Sequence, residues 1–186
     1  VVAMSLFLPL PVTASQIIWL NFITDGFLVV ALALEPKSSI AHSRLRKKNK
    51  ILDRFMIERI FVQGVTMMIG TVWLFSLYLS ESFVKASTIA LTTLAVFQWF
   101  NIWNCRKSGY ENNVALPPNK GLYLATFIVV LLQICAVYAP AFQKILKTEP
   151  LMIFDWVLII LVSLTIFVTD GFWRNMRLKT HIIARN

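Results

Sequence analysis

Five apolar runs, each 17–22 residues long, occupy most of the chain: Ser15–Leu34, Glu58–Leu79, Ser87–Asn104, Leu122–Tyr138 and Asp155–Phe172. A bilayer core of about 30 Å is crossed by roughly 17–25 apolar residues in a helix. In lipid, every backbone polar group must be satisfied within the segment or in a closed barrel. Runs of this length therefore predict an all-α, polytopic membrane helix bundle with five full spans. A sixth run, Val1–Leu10, reaches only about halfway across at about 1.5 Å per residue. It reads as a truncated spanning helix, so the 186 residues are expected to be a fragment of a longer protein. The mean hydropathy of +0.70 agrees with membrane residence.

Charge gives the expected orientation. Eight basic residues lie between Glu35 and Arg59, three between Cys105 and Gly121, and four after Trp173, which is 15 of the 18. The opposite side holds only Lys85, Lys144 and Lys147. This is the positive-inside pattern. It predicts one transmembrane domain over residues 1–186, with a cytoplasmic basic loop over 35–57 and a cytoplasmic tail over 174–186. The run Arg44–Lys50 reads as a topology signal that also touches anionic lipid. Basic residues sorted in this way do not predict a nucleic-acid partner. Cys105 and Cys135 do not read as a disulfide framework, and the isolated His42 and His181 propose no metal site. No loop is long enough for a catalytic domain, and no phosphate-binding Gly-rich loop is present.

Local signals divide the spans. Pro9 and Pro11 end the first run, and Thr13 or Ser15 is positioned to cap the next helix. Gly64 and Gly70 predict close helix packing. Asp53, Arg54, Glu58 and Arg59 alternate in sign and read as a solvated helical approach to the second span. Tyr78, Trp99, Trp103, Tyr123, Tyr138, Trp156 and Trp173 mostly read as an aromatic belt near the span ends.

The tetrapeptide Thr-Asp-Gly-Phe occurs twice, at Thr24–Phe27 and Thr169–Phe172, among only nine acidic residues. Asp25 lies about 15 Å into its span, near the midplane. A charge at that depth costs several kcal/mol and marks function. Asn21 is one turn earlier on the same face, and Thr24 adds a hydroxyl. Carboxylate, amide and hydroxyl oxygens suit a hard cation such as Ca²⁺. Gly26 weakens the helix there, and opening it would free carbonyl ligands. The competing reading is a helix–helix hydrogen-bond cluster. Gln98 is a weaker ligand candidate, with Asn101 one turn later. Gln133, Ser163 and Thr165 read as packing bonds. Asp170, four residues before Arg174, reads as an interface anchor or a contact with another segment, not as an ion ligand.

These residues resemble the C-terminal membrane domain of P-type cation-transporting ATPases of the calcium-pump type. The likeness is carried by Leu8-Pro9-Leu10-Pro11, by Gln16 through Gly26 with its Asn-x-x-Thr-Asp at Asn21, Thr24 and Asp25, and by Glu35-Pro36. Thr92-Thr93, Phe97 through Asn101, Asn104, Asn119-Lys120 and Asp155-Trp156 support it. The resemblance implies half of pump helix five and helices six to ten. It implies that Asn21, Thr24 and Asp25 are cation ligands, with Ca²⁺ expected and Mn²⁺ or another cation as alternatives. ATP and Mg²⁺ would belong to domains outside this chain, and its partners would be those domains, the other pump helices and membrane lipid. Leu28-Val29 stand where the family usually has Pro-Ala. Gln98 stands where two-site calcium pumps carry an acid, which favours a single transported ion. Two rival readings are a standalone structural or regulatory membrane module and a subunit of a gradient-driven transporter.

Overall fold

A computed structural model describes residues 7–34, 54–108 and 118–183. Every regular element in these residues is helical. The first span is broken into α1 (Ala14–Trp19), a π-helical turn (Leu20–Asp25) and α2 (Gly26–Ala33). Then follow α3 (Arg54–Tyr78), α4 (Phe83–Ser108), α5 (Lys120–Tyr138), the short α6 (Pro140–Leu146) and α7 (Ile153–Ile183). Five segments are long and apolar enough to cross a membrane: Ala14–Ala33, Met56–Tyr78, Phe83–Arg106, Lys120–Tyr138 and Ile153–Met176. These overlap all five predicted runs. The first run, the loop over 35–53 and the end of the tail lie wholly or mostly outside the described residues.

The central helix is α4. Its apolar window is 61% buried, against 22–33% in the other four spans. The composition explains this, because Ala86, Ala90, Ala95, Ser87, Thr88, Thr92 and Thr93 give α4 a slim waist that neighbours can approach from several sides. Helices α3 and α7 pack on it and on one another. At Gly70 an added Cβ would lie 2.8 Å from Phe97 Cζ and 2.9 Å from Val162 Cγ1, so the α3–α4–α7 crossing needs a glycine there. Gly64 has nothing within 4 Å, so the predicted packing role holds for Gly70 alone.

Polar side chains tie the helices on the side poor in basic residues. Thr13 is the N-cap of α1, and its backbone N–H donates to Gln16 Oε1 at 2.9 Å. Gln16, fully buried, also donates to the Leu146 carbonyl at 3.0 Å and accepts from Ser87 Oγ at 3.0 Å. Trp19 Nε1 donates to Gln133 Oε1 at 3.1 Å, and Gln133 Nε2 donates to Thr92 Oγ1 at 3.2 Å. These bonds join α1, α4, α5 and α6 where lipid offers no competing partner. At the same level Tyr78 donates to Asp155 at 2.8 Å, and Lys85 pairs with Glu81 at 2.8 Å. Tyr78, Trp99 and Trp173 are buried and belong to the packed interior, which corrects the aromatic-belt reading for these three.

Candidate cation site

The three residues singled out in the first span fall within one irregular element. The π-helical turn Leu20–Asp25 contains Asn21, Thr24 and Asp25. The Gly26 N–H bonds to the Asn21 carbonyl, five residues back, which is the wider π ring. π-turns inserted in α-helices are rare and cluster at functional sites. The helix is therefore widened at the motif and not opened into extended chain, which refines the expectation drawn from Gly26. Gly26 sits at the junction with ordinary α geometry and keeps φ −57°, so it supplies slack here and not a left-handed turn.

Leu20 and Leu28 anchor the turn from either side in the hydrophobic core. The turn packs against α1, α2, α4 and α5. Asn21 is exposed in this chain and lines a groove beside α2. For Thr24 and Asp25 the structure describes the backbone; their side chains lie outside what it describes.

On α4, Gln98 Oε1 and Asn101 Oδ1 are buried acceptors without a hydrogen-bond partner. Buried polar atoms are nearly always partnered, so two orphans one turn apart stand out. Among the described residues no three His, Cys, Asp or Glu side chains converge.

The second Thr-Asp-Gly-Phe has a different setting. Asp170 is 1% exposed. Its Oδ1 accepts from Arg59 Nε at 2.6 Å and from Gln63 Nε2 at 3.1 Å. Its Oδ2 lies 3.5 Å from Arg174 Nε, close enough for an ion pair but without hydrogen-bond geometry. Arg59 also donates to the Asn104 carbonyl at 3.0 Å. The expected contact with another segment is therefore present. Arg59 is corrected: its side chain is only 11% exposed, so it is a buried partner of α7 and α4 and not part of a solvated approach. The charge alternation before the second span hid this, because its signal in sequence is a partner 111 residues away.

Gln133 makes the packing bonds expected of it. Ser163 is buried with its hydroxyl unpartnered, and Thr165 is exposed and bonds the Val162 carbonyl at 2.6 Å. Cys105 and Cys135 are free thiols.

Together these features define an integral, multi-pass, all-α membrane bundle with a broken helix. Residues 9–176 match the family of cation-transporting ATPases, C-terminus. The chain belongs to that family. It is 33% identical over 174 residues to calcium-transporting ATPase 1 of Saccharomyces cerevisiae, covering 88% of this chain and 18% of the relative. It is 31% identical over 170 residues to a calcium-transporting ATPase of Bacillus subtilis, covering 87% and 19%. It is 31% identical over 164 residues to the human calcium-transporting ATPase type 2C member 1, covering 84% and 17%. The chain thus spans less than a fifth of these relatives.

Proposed function

We propose that this chain is the C-terminal half of the membrane domain of an ATP-driven Ca²⁺ pump, and that its first span carries part of the transported ion's site. The observation that carries the reading is the π-turn Leu20–Asp25, which gathers Asn21, Thr24 and Asp25 in the middle of an apolar span. The names of its relatives support Ca²⁺ as the ion. Asp25 supplies the ionised carboxylate, Asn21 the amide oxygen and Thr24 a hydroxyl or carbonyl, all hard ligands of the kind Ca²⁺ prefers. Gln98 is a neutral auxiliary on the packed neighbour α4. Asn21 faces out of the bundle, which suits a site shared with helices of the same pump.

In this reading ATP and Mg²⁺ act in other domains of the whole protein, and helices α3 to α7 serve as scaffold around the ion-binding helix. The basic loop over 35–57 and the tail over 174–186 face the cytoplasm, as the charge asymmetry favours.

The test uses the full-length protein. Asp25→Asn is expected to abolish Ca²⁺-dependent phosphorylation by ATP while membrane insertion persists. Unchanged Ca²⁺ dependence removes Asp25 from the site. Competition among Ca²⁺, Mn²⁺ and monovalent ions for phosphorylation identifies the cargo, and protection by a monovalent ion alone overturns the Ca²⁺ reading.

A further inference from the structure

We propose that Gln133 is a positioning residue for the cation site: it holds the π-turn Leu20–Asp25 in register against α4, a role that rests on the function proposed above. Gln133 lies on α5, and it is 1% exposed. Its Oε1 accepts from Trp19 Nε1 at 3.1 Å, and its Nε2 donates to Thr92 Oγ1 at 3.2 Å. Trp19 is the residue immediately before the π-turn, and Thr92 lies on α4, the helix of Gln98. The bridge can be made in one sense only. An indole N–H donates and cannot accept. The Thr92 hydroxyl donates its own proton to the Thr88 carbonyl at 2.8 Å, which leaves it an acceptor for Gln133. The side chain between them must therefore accept at one end and donate at the other. A carboxylate offers only acceptors, and an apolar side chain offers neither.

The bridge also sets the register of two helices. Gln16 and Ser87 form one rung, at 3.0 Å, and Trp19 and Thr92 form the next through Gln133. Both rungs advance along the two helices in the same sense, so the first span and α4 run parallel. Six residues past the bridge, the first span reaches Asp25 and α4 reaches Gln98. Six helical residues rise about 9 Å on either helix, so these two candidate ligands lie at nearly one depth. The π-turn packs on both α4 and α5. A bond one residue ahead of the turn fixes where Asn21, Thr24 and Asp25 begin. A ligand set held in place loses less freedom when it takes up an ion, and so binds it more tightly. Without the bridge the first span is free to turn and slide on α4, and ion affinity falls although every ligand remains.

The whole protein is assayed for Ca²⁺-dependent phosphorylation by ATP, read as the half-saturating Ca²⁺ concentration and the maximum level. Gln133→Met keeps the shape of the side chain but removes the amide. Trp19→Phe removes the donor and keeps a ring beside Phe142. Each is expected to raise half-saturating Ca²⁺ about fivefold, the size of one lost hydrogen bond, with the maximum retained. The double variant is expected to go no further than the larger single effect, because both changes break the same bridge. Tyr138→Phe is the structural control. It deletes a bond of 2.7 Å to the Leu151 carbonyl, on the same helix but not to the first span, and is expected to leave half-saturating Ca²⁺ unchanged. If Gln133→Met fails to insert, the shift in Trp19→Phe alone decides. Unchanged half-saturating Ca²⁺ in the bridge variants, a fall in the maximum alone, additive effects in the double variant, or an equal rise in Tyr138→Phe each overturn the proposal. Asp25→Asn separates this role from the site itself. Loss of the Ca²⁺ response there, with no shift in the bridge variants, removes the positioning role only. An intact response in Asp25→Asn removes the site and the positioning role together.

Discussion

At the scale of single residues, two identical tetrapeptides have separate fates. Asp25 lies in the π-turn at mid-span, whereas Asp170 is locked by Arg59, Gln63 and Arg174 near the basic end of α7. Removing one member of a buried ion pair typically costs about 3–5 kcal/mol, because the other charge is left behind. The partial exposure of Arg59 and Arg174 places this site at the lower end of that range. Asp170→Asn in the whole protein is therefore expected to lower the thermal unfolding midpoint markedly. Under the proposed Ca²⁺-pump function, the folded fraction is expected to keep its Ca²⁺ affinity. A loss of affinity with normal stability would reassign Asp170 to the ion site. Asn21, Thr24 and Asp25 fall within one turn of the first span, and that Asp170 contacts another segment was legible in sequence. The burial of Arg59 was not, since a sign-alternating stretch at a helix start looks solvated until its distant partner is in place.

At the scale of elements, the spans were legible because lipid demands long, self-satisfied helices. Their internal irregularities were less so. The sequence offered Gly26 as a weak point, but the choice between opened chain and a π-turn depends on how Leu20 and Leu28 are held by the core. The glycines make the same point. Gly64 and Gly70 are indistinguishable as letters on α3, yet one is crowded and the other is open. Gly70→Ala is expected to destabilise the bundle by about 1–3 kcal/mol through overpacking against Phe97 and Val162. Gly64→Ala is expected to be neutral or stabilising by up to about 1 kcal/mol, because alanine favours the helix. Thermal unfolding of both variants in one detergent checks the pair, and equal effects would refute the packing difference.

At the scale of the whole molecule, orientation and centrality come from different sources. Charge asymmetry predicts that the turn at Glu81 and the helix α6 lie on the face opposite the basic loops. Single cysteines at Glu81 and Lys144, in the whole protein with its native cysteines replaced, are expected to react with an impermeant maleimide added to the non-cytoplasmic face of sealed membranes. A cysteine at Lys120 is expected to react only after permeabilisation, and the reverse pattern would invert the topology. The sequence by itself determined the all-α class, the five segments long and apolar enough to cross a membrane, and the polar motif within the first of them; the orientation it favours is what the labelling tests. Hydrophobic length, charge placement and isolated polar residues are local properties that need no partner to be read. Only the tertiary structure decided that α4 is the axis, that Asp170 pairs with Arg59, and that Gln133 joins Trp19 to Thr92. Each of those depends on which faces of distant segments meet, and packing sets that once the helices have formed.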